Sequence, residues 1–181
     1  MGFGRRDAQF TSSPSTPGGG SVNEFVATSP GTEYFATVEP PWGRGHSLLM
    51  ESRTEVRVRY AETDAMGIVH HAAYPVWLEL GRSDYLRENG QSYSEWEARG
   101  VFMPLGELHV RYRQPARYDE LVEVFTTIQE ASRRKITFAY RVMRGETRLL
   151  EATTVHVVTG TSGRSQPLPD DLWELISSQV G

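Results

Sequence analysis

One long stretch with helical period, set between segments with strand period, limits this chain's fold more than any other feature. Val56, Val58 and Tyr60 alternate with Glu55, Arg57 and Arg59, the period of two of a half-buried strand. A polar, Gly-containing loop follows over residues 61–72. The spacing then predicts a helix from about Ala73 to Asn89. Pro75 falls in its first turn, Val76, Trp77, Leu80, Gly81 and Tyr85 form an apolar stripe, and Asn89-Gly90 is a stop. Gly81 would let this helix approach a sheet closely. A short second helix is expected at 92–98, opened by Ser92 or Ser94.

Four more strands are expected. Leu108, Val110 and Tyr112 alternate in the first, after a lead-in at 101–106, and Pro115 ends it. Leu121 to Gln129 forms the next, and Ser132-Arg133-Arg134 turns the chain. Ile136, Phe138, Tyr140 and Val142 alternate in the third. Arg144-Gly145-Glu146 is a tight hairpin, Leu149 to Thr161 is the last strand, and Pro167 and Pro169 lead into a helix at about 170–178. The order defines an α+β chain: a five-stranded antiparallel sheet with one long helix on one face. Such a sheet exposes its edges, and pairing two copies edge to edge removes one edge from each. A homodimer is the expectation.

Residues 1–50 read differently. Thr11 to Ser21 is a run of Thr, Ser, Pro and Gly that buries too little apolar surface to offset chain entropy. We expect a disordered or loosely attached extension there and one folded domain over 51–181. Met50 directly precedes the folded pattern, which leaves room for a vector-derived or mis-assigned extension upstream. The net charge of −4 gives no general attraction to nucleic acid or to anionic membrane, and no apolar run is long enough to span a bilayer. The chain has no cysteine, so it has no disulfide, thiol nucleophile or thiolate metal site. A cytoplasmic location is the expectation.

Chemistry concentrates in the loop before the long helix. Asp64 lies four residues after Tyr60, Gly67 permits a tight backbone path, and His71 stands seven positions on, at the helix start. A helix start collects unpaired N–H groups, a natural place for an oxyanion. A carboxylate beside such amides can cleave an acyl compound without Ser, Cys or metal. The plainer reading of Asp64 is an Asx-turn former. Tyr60 reads equally as an edge plug or as a partner of the carboxylate. His70 and His71 make a poor metal pair, because side chains diverge in extended backbone and no third ligand has useful spacing; His71 reads either as a residue that simply precedes the helix and bonds the loop, or as one whose backbone N–H polarises a carbonyl while its ring orients Asp64 or water. Tyr74 and Trp77 read as core. Glu79 reads as an ion-pair or dimer-seam residue, and His109 and His156 as ordinary sheet residues. Arg133, Arg134 and Lys135, with the only lysine in the chain, form the densest basic run and suit phosphate groups.

The run Tyr60-x-x-Thr63-Asp64-x-x-Gly67-Ile68-Val69-x-His71-x-x-Tyr74 resembles the signature of hotdog-fold acyl-CoA thioesterases of the 4-hydroxybenzoyl-CoA thioesterase type, a group that includes the Tol–Pal-associated thioesterases. Glu79, Arg82 and Pro115 to Glu120 extend the likeness, which covers about 54–162. The resemblance implies the hotdog fold, with the sheet wrapped around the long helix. It implies hydrolysis of acyl-CoA to free acid and coenzyme A, with Asp64 as nucleophile or general base. The His71 amide would bind the thioester oxygen, Tyr60 and His71 would belong to the site, and Gly67, Val69 and Tyr74 would lie against substrate. Arg133, Arg134 and Lys135 are assigned to the coenzyme A phosphates by their charge. No cofactor or metal is implied beyond the coenzyme A of the substrate. Family members are dimers, often paired into homotetramers, with sites at subunit interfaces. Met66 departs from the pattern, taking a position where a small residue is frequent. The alternative is a non-catalytic acyl-CoA or acyl-carrier binding or assembly module on the same fold. A dehydratase would need a His-Gly-Gly-type helix opening with a paired acid, which the chain lacks.

Overall fold

The computed structural model describes residues 51–180, so the expected N-terminal extension lies outside the described residues. The elements are β1 (Ser52–Arg57), α1 (Tyr74–Glu88), α2 (Tyr93–Ala98), β2 (Leu105–Tyr112), β3 (Leu121–Ser132), β4 (Lys135–Arg144), β5 (Thr147–Val157) and α3 (Asp170–Ser177). The five strands form one antiparallel sheet in the order β1-β3-β4-β5-β2, with α1 on one face. This is the expected hotdog arrangement. Among the described residues no helix is long and apolar enough to cross a membrane.

Register shows which face is the core. Val124 opposes Val142, which opposes Leu150; Thr126 opposes Tyr140, which opposes Ala152. Directly opposed residues share a face, and these are all buried. Gly81 permits the close approach of α1 to them. A β-carbon there would lie 2.5 Å from Thr126 Oγ1 and 2.8 Å from Val124 Cγ1.

The helix is rotated from the expected stripe. Tyr74, Trp77, Leu78, Gly81, Arg82, Tyr85 and Leu86 are buried, while Val76 and Leu80 are exposed. Both sets have helical spacing, and the position of the sheet selects between them. Strand ends also differ from the sequence reading. β1 stops at Arg57, because the chain turns at Tyr60–Glu62 instead of continuing extended. β5 stops at Val157, with Thr159 in isolated bridges to Phe102 and Ser165. α2 opens at Ser92 with a reciprocal cap: the Ser92 hydroxyl accepts from the Glu95 N–H, and the Glu95 carboxylate accepts from the Ser92 N–H.

The core face of β2 is only partly covered. Leu108, Val110 and Tyr112 oppose buried Thr154, Ala152 and Leu150, yet Leu108 and Tyr112 are exposed and Val110 is half-buried. Leu105, at the other end of the strand, is exposed as well.

Candidate active site

The loop between β1 and α1 is fixed by its own backbone. Asp64 N–H donates to Ile68 O at 2.9 Å, Gly67 N–H to Asp64 O at 2.9 Å, and Val69 N–H to Ala116 O at 2.8 Å. Gly67 takes a φ of +70°, where a side chain would be strained. Its carbonyl accepts a long bond, 3.4 Å, from the exposed Arg117 guanidinium.

Asp64 does form an Asx turn: Oδ1 accepts the Met66 N–H at 2.8 Å. Its other oxygen has no partner among the described residues. Asp64 lines a cleft of about 300 Å³ together with Met66, Ile68, Val69, His71, Tyr74, Tyr112 and Pro115. The walls are mainly apolar, with Arg113 and Gln114 at the rim.

The helix start opens into this cleft. A 3₁₀ turn, His71–Ala73, precedes α1. His70 Nδ1 accepts the Ala72 N–H at 3.2 Å, and His70 O accepts the Ala73 N–H at 2.9 Å. The His71 N–H makes no hydrogen bond among the described residues. A trans peptide aims C=O and N–H in opposite directions. With the His70 carbonyl turned into the helix, the His71 N–H faces outward. The Tyr112 hydroxyl holds the turn from β2, donating to His71 O at 3.0 Å, and its ring packs edge-on to Tyr74 at 5.4 Å. Tyr74 is buried, and its hydroxyl accepts the Ala116 N–H at 3.2 Å. Burial pushes that hydroxyl's pKa up.

The structure thus brings Asp64, Val69, His71 and Tyr74 to one cleft, with Gly67 shaping the loop. Tyr60 is not among them. Its ring lies on the surface against Tyr118, 5.5 Å away, and it makes no bond to the Asp64 carboxylate. The turn that ends β1 carries it outward. The His71 ring lies against His70, with centroids 4.1 Å apart, so the two side chains converge instead of diverging, and neither ring bonds Asp64. Among the described residues no three His, Asp or Glu side chains gather as a metal set. Trp77 is fully buried, and Phe102 lines a separate cleft with Tyr93 and Pro104. Glu79 is exposed and has no ion pair among the described residues.

Arg133, Arg134 and Lys135 sit at the β3–β4 turn, at the opposite end of the sheet from Asp64. At roughly 3.3 Å per residue, β3 alone separates the two ends by about 36 Å. Arg133 pairs with Asp170 at 2.6 Å and stacks on Trp173, and Arg134 donates to Ser165 O at 3.0 Å. Within one copy these cations do not reach the cleft.

Sequence reasoning missed Glu62. Its side chain is only 8% exposed, and it accepts from Arg59 N, Arg59 Nη2 and Trp77 Nε1 at 2.7, 2.7 and 2.9 Å. The spacing Arg59-x-x-Glu62, an acid three residues after a turn's first residue, was the available signal.

A five-stranded antiparallel sheet with one long helix on its face, and a cleft at that helix's start, defines a hotdog-fold protein. The sequence profile of the thioesterase-like superfamily matches residues 58–176, and the chain belongs to that family. It is 35% identical over 106 residues to the acyl-CoA thioester hydrolase YbgC of Escherichia coli O6:H1, covering 59% of this chain and 79% of that protein. The solved hypothetical protein TT1821 of Thermus thermophilus is 45% identical, with a TM-score of 0.69 over 72% of this chain and 98% of that one. The DHNA-CoA thioesterase of Staphylococcus aureus is 30% identical, also with a TM-score of 0.69, over 71% of this chain and 89% of that one.

Proposed function

We propose that this protein hydrolyses acyl-CoA thioesters to a free acid and coenzyme A. One observation carries the reading: Asp64 and His71 line the same largely apolar cleft, and one Asp64 carboxylate oxygen and the His71 N–H have no hydrogen-bond partner among the described residues. As carbonyl carbon is attacked, negative charge grows on its oxygen. A fixed N–H at a helix start stabilises that charge, an effect of about 3 kcal/mol per donor. Two routes use the same geometry. As nucleophile, Asp64 forms an acyl anhydride and expels the thiolate, and water then releases the acid. As general base, it takes the proton of an attacking water. Val69, Tyr74 and Tyr112 would contact the acyl group, and no cofactor enters either route.

Assembly belongs to the same reading. β2 is a sheet edge with an apolar, partly exposed core face, so antiparallel pairing of β2 with a second copy would cover Leu105, Leu108 and Tyr112 further. That pairing reverses the second sheet. It would set the second copy's Arg133, Arg134 and Lys135 on the same side as the first copy's Asp64, where a nucleotide's phosphates would be met. We infer a homodimer, and a dimer of dimers as its further association, in the cytoplasm. Sedimentation showing a monomer at micromolar concentration would contradict this.

The Asx turn at Asp64 favours a second reading, a module that binds acyl-CoA without cleaving it. A colorimetric thiol-release assay over a panel of acyl-CoAs separates the two. We expect turnover by the wild type and a loss of at least a hundredfold in kcat for Asp64→Asn, with thermal stability retained. Activity kept within threefold would remove Asp64 from the mechanism.

A further inference from the structure

Glu62 is a buried acid that neither route uses. Its carboxylate ties the loop to the core, because one of its three donors is the indole N–H of Trp77, which is 0% exposed. The other two donors come from Arg59. Burial alone favours the neutral acid, but the hydrogen bonds and the Arg59 charge outweigh it and hold the pKa below the ordinary value. Glu62 is therefore an anion at neutral pH, held from two sides.

Its backbone reaches the helix start. Glu62 O accepts the His70 N–H at 2.8 Å, and His70 O accepts the Ala73 N–H at 2.9 Å. His70 is thus fixed at both of its main-chain polar groups. The peptide between His70 and His71 carries the outward N–H; the Ala73 bond to His70 O holds that peptide directly, and the Glu62 O bond holds the peptide just before it, across the His70 α-carbon. We infer that Glu62 is a positioning residue: through Trp77 and Arg59 it braces the peptide that aims the His71 N–H into the Asp64 cleft. A donor that must meet a developing oxyanion loses much of its effect when it swings by a fraction of an ångström. The catalytic consequence rests on the thioesterase reading; the brace itself does not.

The test uses Glu62→Gln and Arg59→Gln in the full-length protein. The Glu62→Gln change keeps the size and an acceptor for Trp77 but loses the charge that gathers the Arg59 donors. The Arg59 side chain is 69% exposed, so its replacement leaves the core untouched. Three readouts are taken: kcat and KM on whichever of acetyl-, butyryl- and benzoyl-CoA the wild type cleaves fastest, the thermal midpoint, and the His71 amide resonance in an ¹⁵N-correlated spectrum. For Glu62→Gln we expect kcat down tenfold or more, KM within twofold, and a displaced His71 resonance. Arg59→Gln should show the same pattern at about threefold in kcat. An unmoved His71 resonance in both variants, or a kcat loss that merely follows the unfolded fraction, overturns the inference. A wild type that cleaves no acyl-CoA overturns the thioesterase reading, and the His71 resonance then decides the brace alone.

Discussion

The two ends of the sheet are built to opposite purposes. At the β3–β4 turn, polar groups are matched within the chain. Arg133 and Arg134 hold Asp170 and Ser165 O, Leu168 N–H donates to Arg133 O at 2.7 Å, and α3 packs Leu172 and Ile176 into the core. At the other end, arginines are also paired, Arg144 with Glu120 and Arg113 with Glu151. Yet the loop before α1 leaves one Asp64 carboxylate oxygen and the His71 N–H without a partner among the described residues, on two residues that line one cleft. Within one copy Arg133 helps to fasten α3, whereas the groups proposed for the chemistry are ones left without a partner among the described residues.

Substitutions at the two ends should separate stability from turnover. Leu172→Ala, at the hairpin end, removes a fully buried side chain. It should cost about 2–5 kcal/mol in denaturant unfolding and leave the kcat of the folded protein unchanged. A matching fall in kcat would break the division between the ends.

A smaller effect comes from acid, through His156, which lies near the start of β2. Its Nδ1 contacts Met103 O at 2.9 Å and its Nε2 contacts Thr154 Oγ1 at 3.0 Å. A carbonyl only accepts, so Nδ1 carries the proton and Nε2 accepts from the Thr154 hydroxyl, which takes the Tyr140 O–H at 3.0 Å. Burial, reinforced by the Arg82 charge, lowers the imidazole pKa from 6.5 to about 4. Between those two values the unfolded chain binds a proton that the folded one does not, so stability falls as pH falls. The loss should approach about 3 kcal/mol at pH 4, and His156→Gln should flatten the slope above that pH. Glu62 adds a separate loss only below its ordinary value of 4.5, since its pKa is depressed. Unfolding free energies taken from pH 7 to pH 4 would show both. The smallest effect is expected at Tyr60. Because its ring packs on Tyr118 and not on Asp64, Tyr60→Phe should hold kcat/KM within twofold, and a tenfold loss would place its hydroxyl in the reaction.

The fold was legible because alternation at Val56–Val58 and at Ile136–Val142, and helical spacing between them, are local signals. The Asp64 loop was legible by its Gly67 and by the helix that follows. What failed depends on distant residues. The α1 stripe was misjudged because Val76 and Leu80 are as apolar as Leu78 and Leu86, and only the sheet's position distinguishes them. Tyr60 continued an alternation that the Glu62–Arg59 bonds cut short. Glu62 itself looks like a surface acid until Trp77, fifteen residues on, turns its indole toward it.

In the proposed reaction the thioester meets the His71 amide and the Asp64 carboxylate together. A crystal structure of Asp64→Asn with an acyl-CoA that the wild type cleaves tests this directly. The account predicts the thioester oxygen at about 3 Å from His71 N, with the carbonyl carbon facing the substituted side chain. An acyl group seated elsewhere, with that amide still unbonded, would contradict it.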